Sequence, residues 1–103
     1  MYMRIKIIDI FELKERDIKI ASFTGEDIRY GMMVKRVSTP YGMIEARSME
    51  IVKEACFRPG HYWGGFGFDK SINIQPCEAE VLEYGFYNWE KKEYESVYSN
   101  EGS

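Results

Sequence analysis

The sequence has few of the groups that catalysis and metal binding need. Its 103 residues hold one histidine, two cysteines and three prolines. Cys56 and Cys77 lie far apart and form no C-x-x-C pair, and with His61 they do not give structural zinc spacing, so no metal ligands are assigned. There is no G-x-x-x-x-G-K-[ST] loop to cradle phosphates, and no cofactor is implied. No apolar run approaches the ~20 residues that span a bilayer. The N-terminus, Met1-Tyr2-Met3-Arg4, runs straight into a charged alternating pattern unlike a signal peptide. A cytoplasmic protein with reduced, buried thiols is expected, and a Cys56–Cys77 disulfide is the alternative left open. Basic clusters are also lacking. Lys35-Arg36 is the best of them, and the net charge is −3 with a pI near 5.2. Nucleic-acid binders need a basic footprint to displace counterions from phosphates. The expected partner is therefore a basic protein, with neither nucleic acid nor membrane involved.

Aromatic residues are plentiful, at 16% (8 Tyr, 6 Phe, 2 Trp). Rings of this size fill the interior of a small barrel, and Tyr and Trp also anchor interfaces. Apolar residues at 45% and charged residues at 30% suit one folded domain of this length.

The stretch Thr24–Arg36 organises the strand pattern. A strand ends at Gly25, Glu26 and Asp27 occupy a loop, Ile28 tucks inward, and Gly31 turns the chain into Met32-Met33-Val34. Before it, Tyr2–Phe11 alternates with Met3, Ile5 and Ile7 on one face, then Glu12–Asp17 makes a charged turn. Ile18–Thr24 is a second strand with Ala21 and Phe23 sharing a face. Met32–Ser38 is a third, and Thr39-Pro40-Tyr41-Gly42 reads as a hairpin turn. Met43–Lys53 is a fourth, irregular strand. Arg58-Pro59-Gly60 is a loop. Three glycines among aromatics in His61–Phe68 mark a bulge, a bend or a close backbone approach. Cys77–Tyr84 closes the set. From Gly85 onward, Phe86, Trp89, Glu93 and Val97 fit one helical face, and Tyr94 and Tyr98 make an equally good stripe. Beyond Ser99 the chain is expected to fray. The pattern predicts an all-β fold, a small closed or partly open six- to seven-stranded barrel over residues 1–84. An aromatic, acidic extension over 85–103 has room for a short helix.

Placed in order, these strands resemble domain II of the translational GTPases, the elongation factor Tu family. The likeness is carried by Ile28-Arg29-Tyr30-Gly31-Met32-Met33-Val34 after the turn at Gly25, and by Ser48-Met49-Glu50-Ile51-Val52 as the central strand. Arg58-Pro59-Gly60 followed by Trp63-Gly64-Gly65-Phe66-Gly67, then Cys77–Leu82, complete it. It covers roughly Ile8 to Tyr84, with Asp17 and Ser22 near places where the family has glycines. The resemblance implies a closed barrel and carries over no GTP hydrolysis.

No catalytic residues are assigned. Cys56 and His61 form an imaginable pair, but a base needs an oriented partner, and a structural thiol beside an edge imidazole explains both. Glu78 and Glu80 place two carboxylates on one strand face, where solvation is the ordinary role. The candidate binding surface is the C-terminal segment: Glu83, Tyr84, Phe86, Tyr87, Trp89, Glu90, Glu93, Tyr94 and Tyr98. Either it packs back over the barrel's open end, or it presents an aromatic and acidic surface to a basic protein. The leading expectation is a non-enzymatic protein-binding module. The alternatives are an immunity or antitoxin protein that occludes a basic toxin, and a small enzyme using Cys56 or His61. Exposed edge strands also allow a homodimer.

Overall fold

The computed structural model describes residues 3–54 and 62–100. The expectations for Cys56, for Arg58-Pro59-Gly60, for His61 and for the chain beyond Asn100 concern residues outside that description. The described elements are nine strands and one short 3-10 turn, with no α-helix. The strands are β1 (Arg4–Leu13), β2 (Ile18–Gly25), β3 (Met32–Thr39), β4 (Gly42–Glu45), β5 (Ser48–Met49), β6 (Lys53–Glu54), β7 (Tyr62–Asp69), β8 (Glu78–Asn88) and β9 (Glu93–Ser99). All pairings are antiparallel, and the main path runs β4-β3-β8-β1-β2-β7-β5, with β6 on β7 and β9 on β8. The chain is all-β, as its alternation and turns predict.

Bulges roll the sheet. Register slips occur in β1 between Ile7 and Asp9 and in β3 on both sides of Arg36, and each bends its strand and adds twist. The β1 bulge also explains an outcome the alternation missed: Ile8 is left half-exposed, while Ile10 returns to pack against the core. The roll stays partly open. Between β3 and β7 runs the segment 46–53, which bonds to both without forming a continuous ladder. Val52 N–H donates to Met32 O (2.8 Å), Gly31 N–H to Val52 O (3.0 Å), and Glu50 N–H to Gly65 O (3.0 Å). This is the region expected as one long fourth strand. It breaks into β4, β5 and β6 because it crosses from one neighbour to the other.

The interior follows from side-chain period. Met3 just before β1, Ile5 and Ile7 of β1, Ala21 and Phe23 of β2, Phe66 and Phe68 of β7, and Val81 of β8 are buried in one cluster. Phe66 stands between Phe23 and Phe68, with ring centroids 6.0 and 5.9 Å away. Fully burying one such side chain stabilises by about 1.5–3 kcal/mol. Ile28, 2% exposed, plugs the end of this core from the loop after β2, and Gly31 takes the positive φ of 89° that turns the chain into β3.

The β7 glycines provide space and do not bend the strand, since β7 pairs with β2 in unbroken register from Asp69 to Tyr62. A Cβ on Gly64 would come within 2.9 Å of Val52 Cγ2 on the inside. One on Gly67 would meet Ile18 Cδ1 at 2.6 Å on the outside. Of the three roles open to them, close approach is the one observed.

The C-terminal segment corrects the helical expectation. Residues 85–99 complete β8 and form β9, joined by a tight turn at 89–92. Asn88 Oδ1 accepts the backbone N–H groups of Glu90 (3.0 Å) and Lys91 (3.1 Å), and Lys92 takes φ 56°. Helical spacing and cross-strand pairing compete for the same aromatics here. Pairing prevails because Tyr84 meets Tyr98 and Tyr87 meets Tyr94 directly across the ladder, where rings and β-branched residues pack best.

Candidate functional site

The candidate residues all sit on or beside the β8–β9 hairpin, which sorts them by face. Tyr84, Phe86 and Tyr98 point inward. Tyr84 is buried, its ring 5.7 Å from Tyr98 and 6.4 Å edge-on from Phe86, and both neighbours pack on the core. Tyr87, Trp89 and Tyr94 lie on or beyond the opposite row. Tyr87 and Trp89 meet edge to face at 4.7 Å, and Trp89 is 71% exposed. Glu90 and Glu93 are exposed at the turn, where they flank Lys91 and Lys92, so the tip is mixed in charge.

Glu83 is held in place. Its Oε1 accepts from Arg36 Nε at 3.0 Å, with both side chains mostly buried, and Arg36 Nη2 donates onward to Ser99 Oγ (2.9 Å). The Tyr94 hydroxyl donates to the other Glu83 oxygen at 3.4 Å, and Lys35 Nζ lies 5.6 Å from the Tyr94 ring centroid. Burial chiefly, with the Glu83 carboxylate adding to it, pushes the Tyr94 phenol above its ordinary value. The outer face is shaped around this pair. Gly85 lies beneath Tyr94, where a Cβ would sit 2.8 Å from the ring and run into the Glu95 backbone.

Beside Tyr87 and Trp89 runs a shallow groove of about 410 Å³, whose other walls are Met33, Met49, Ile51 and Lys53, with Glu50 at its rim. Sequence reasoning did not assign these residues. The signal was present for Met33, which alternates with Met32 and Val34 and so belongs to the outer row, where it is nonetheless buried at 8% exposure. No such signal existed for Met49 and Ile51, because their segment follows no single strand. The groove's walls are apolar and adaptable, and methionines suit contact surfaces that must conform to a partner.

Elsewhere the described residues offer little chemistry. Among them, no group of three His, Cys, Asp or Glu side chains could hold a metal. Glu78 pairs with Arg4 at 3.6 Å. Cys77 is a free thiol, half-buried, and burial pushes its pKa up, away from the reactive thiolate. No helix among the described residues is long and apolar enough to cross a membrane. Comparison with protein-family models, curated proteins and solved structures gives no match to this chain.

Proposed function

We propose that the chain is a non-enzymatic protein-binding module that grips its partner with the outer face of the β8–β9 hairpin. One observation carries this reading. Trp89 projects from the hairpin tip with most of its surface in water, braced edge-on by Tyr87 above a groove of Met33, Met49 and Ile51. A monomer gains nothing from exposing an indole, whereas Trp and Tyr recur as the central anchors of interfaces. Both rings are short of rotamers and already in contact, so ordering them on binding costs little. The net charge of −3 favours a basic partner. An inhibitor of a basic toxin is the narrower form of the proposal, and a ribosomal or translation-factor partner would join it to the domain II resemblance.

The test compares tagged wild type with Trp89→Ala and a Tyr87→Ala/Trp89→Ala double variant, using nuclease-treated host lysate and mass spectrometry. The expected result is a stoichiometric partner held by wild type and lost from both variants, whose unfolding midpoints stay close to wild type. Retention of that partner by the double variant overturns the proposal.

A further inference from the structure

The hairpin has a second unpartnered feature on the side away from Trp89. β9 pairs with β8 along one edge, and no described strand covers the other. Among the described residues this edge is uncovered, and over Glu93–Ser96, before the register slip at Val97, it presents backbone N–H and C=O groups in strand spacing, a template for another extended chain. Beside it opens a cleft of about 710 Å³ between β9 and the loop after β2. Its floor is Met3, Met32, Tyr84 and Phe86, and Val97 of β9, 61% exposed, forms one lip.

Charge is distributed unevenly around this cleft. Glu93 and Glu95 lie opposite Asn88 and Phe86, on the cleft-facing row of the hairpin. Glu26 and Asp27 stand on the opposite wall, exposed, with no ion pair or hydrogen bond among the described residues. Against these four acids the cleft has Arg29, and Lys91 reaches Glu95 at 3.6 Å. Behind the acidic loop Arg4 is engaged by Glu78, and Lys6 is exposed. The balance around the free edge is negative, and the floor is apolar.

We propose that the free edge of β9 accepts an extended, basic segment of a partner protein as an added strand. The backbone ladder supplies the affinity. The acids and the apolar floor share the cleft side, so one row of the added strand supplies the selection, an apolar side chain covering Phe86 and Val97 and Lys or Arg side chains of the same row reaching Glu26, Asp27 and Glu93. This inference rests on the reading of the chain as a protein-binding module but uses a different surface from the Trp89 groove.

The probe is a capped seven-residue peptide with lysine, valine and lysine at positions 2, 4 and 6, which share one row, and threonine at the others, titrated into the isotopically labelled full chain and followed by amide NMR. Saturable shifts confined to residues 93–99 and the 26–29 loop are expected. Affinity should fall about tenfold in Glu26→Gln/Asp27→Asn, whose changes lie in an exposed loop, and should weaken with added salt. A peptide N-methylated at alternate residues, unable to complete the ladder, should not bind, and Trp89→Ala should bind like wild type. The inference is overturned by the absence of saturable shifts at millimolar peptide. Equal binding of the same peptide with glutamate in place of lysine, or of the N-methylated peptide, would overturn it too. Because Trp89→Ala tests only the outer groove, failure of one proposal leaves the other standing.

Discussion

On the inner face of the β8–β9 hairpin, Tyr84, Phe86 and Tyr98 close over a core that already holds Phe23, Phe66 and Phe68. On the outer face, Tyr87, Trp89 and Tyr94 are the same kinds of side chain on the same hairpin, yet Trp89 is exposed and Tyr87 and Tyr94 are only partly buried. The inner rings complete the hydrophobic layer that makes the hairpin part of the domain. The outer rings are arranged around what they lack, a covering layer, and are held by polar devices in its place: Arg36 to Glu83, Glu83 to Tyr94, and Lys35 near the Tyr94 ring. Aromatic content alone therefore says little about function. The face decides whether a tyrosine is structure or surface.

Truncating one tyrosine on each face breaks the comparison most directly. Tyr84→Ala removes a buried ring from the core and should destabilise by about 3–4 kcal/mol, in the range found for deleting large buried side chains. Tyr87→Ala, three residues along the same strand, should cost under about 1 kcal/mol because its ring is partly in water already. Denaturant unfolding of both variants measures the difference. Equal losses would mean the outer rings are a second core and would remove the main support for a binding face.

Gly85→Ala comes next, with an expected loss of about 2–3 kcal/mol. The added methyl meets the Glu95 backbone and the Tyr94 ring, and backbone cannot swing aside as a side-chain tip can. β9 must therefore lift from β8 on its outer side. Amide exchange should speed up across residues 93–99 while β1, β2 and β7 stay protected. Uniform loss of protection would show that the hairpin and the rest of the sheet open as one unit.

How much of this was legible in the sequence depends on whether a residue's neighbours are set by period or by pairing. Met3, Ile5 and Ile7, and Ala21 and Phe23, could be assigned to the core because strand period alone fixes their face. The turns at Gly31 and at Pro40–Gly42 could be placed because their residue types answer a backbone need. Period misled where pairing decides. Phe86, Trp89, Glu93 and Val97 satisfy a helical stripe, and only the partners across the ladder, Tyr98 for Tyr84 and Tyr94 for Tyr87, select the strand. All nine candidate site residues lie on one hairpin, but their division between two faces, and the contributions of Met33, Met49 and Ile51, depend on which strands the roll brings together. The glycines that carry the domain II resemblance have local reasons in this chain. Gly31 takes a positive φ, and a Cβ on Gly25 would come within 3.0 Å of the Arg4 carbonyl.

The smallest expected effect concerns the outer face's polar anchoring, and it is visible only at high pH. Burial, and then the Glu83 carboxylate, raise the Tyr94 phenol above its ordinary 10.0, which favours the neutral hydroxyl in the folded state. The unfolded chain then loses its proton at a lower pH than the folded one. The resulting contribution to stability is complete below pH 10 and is lost as pH rises through the folded value. Tyr94→Phe keeps the ring over Gly85 but has no proton to lose. Its stability at neutral pH should change by no more than about 1 kcal/mol, the worth of one long hydrogen bond. Above pH 10 its stability should fall less steeply than that of wild type. Parallel curves for the two proteins in thermal unfolding from pH 8 to 11.5 would mean that the phenol is effectively solvated. The outer face would then be held by the Arg36–Glu83 pair without Tyr94, leaving its ring as free as Trp89 to meet a partner.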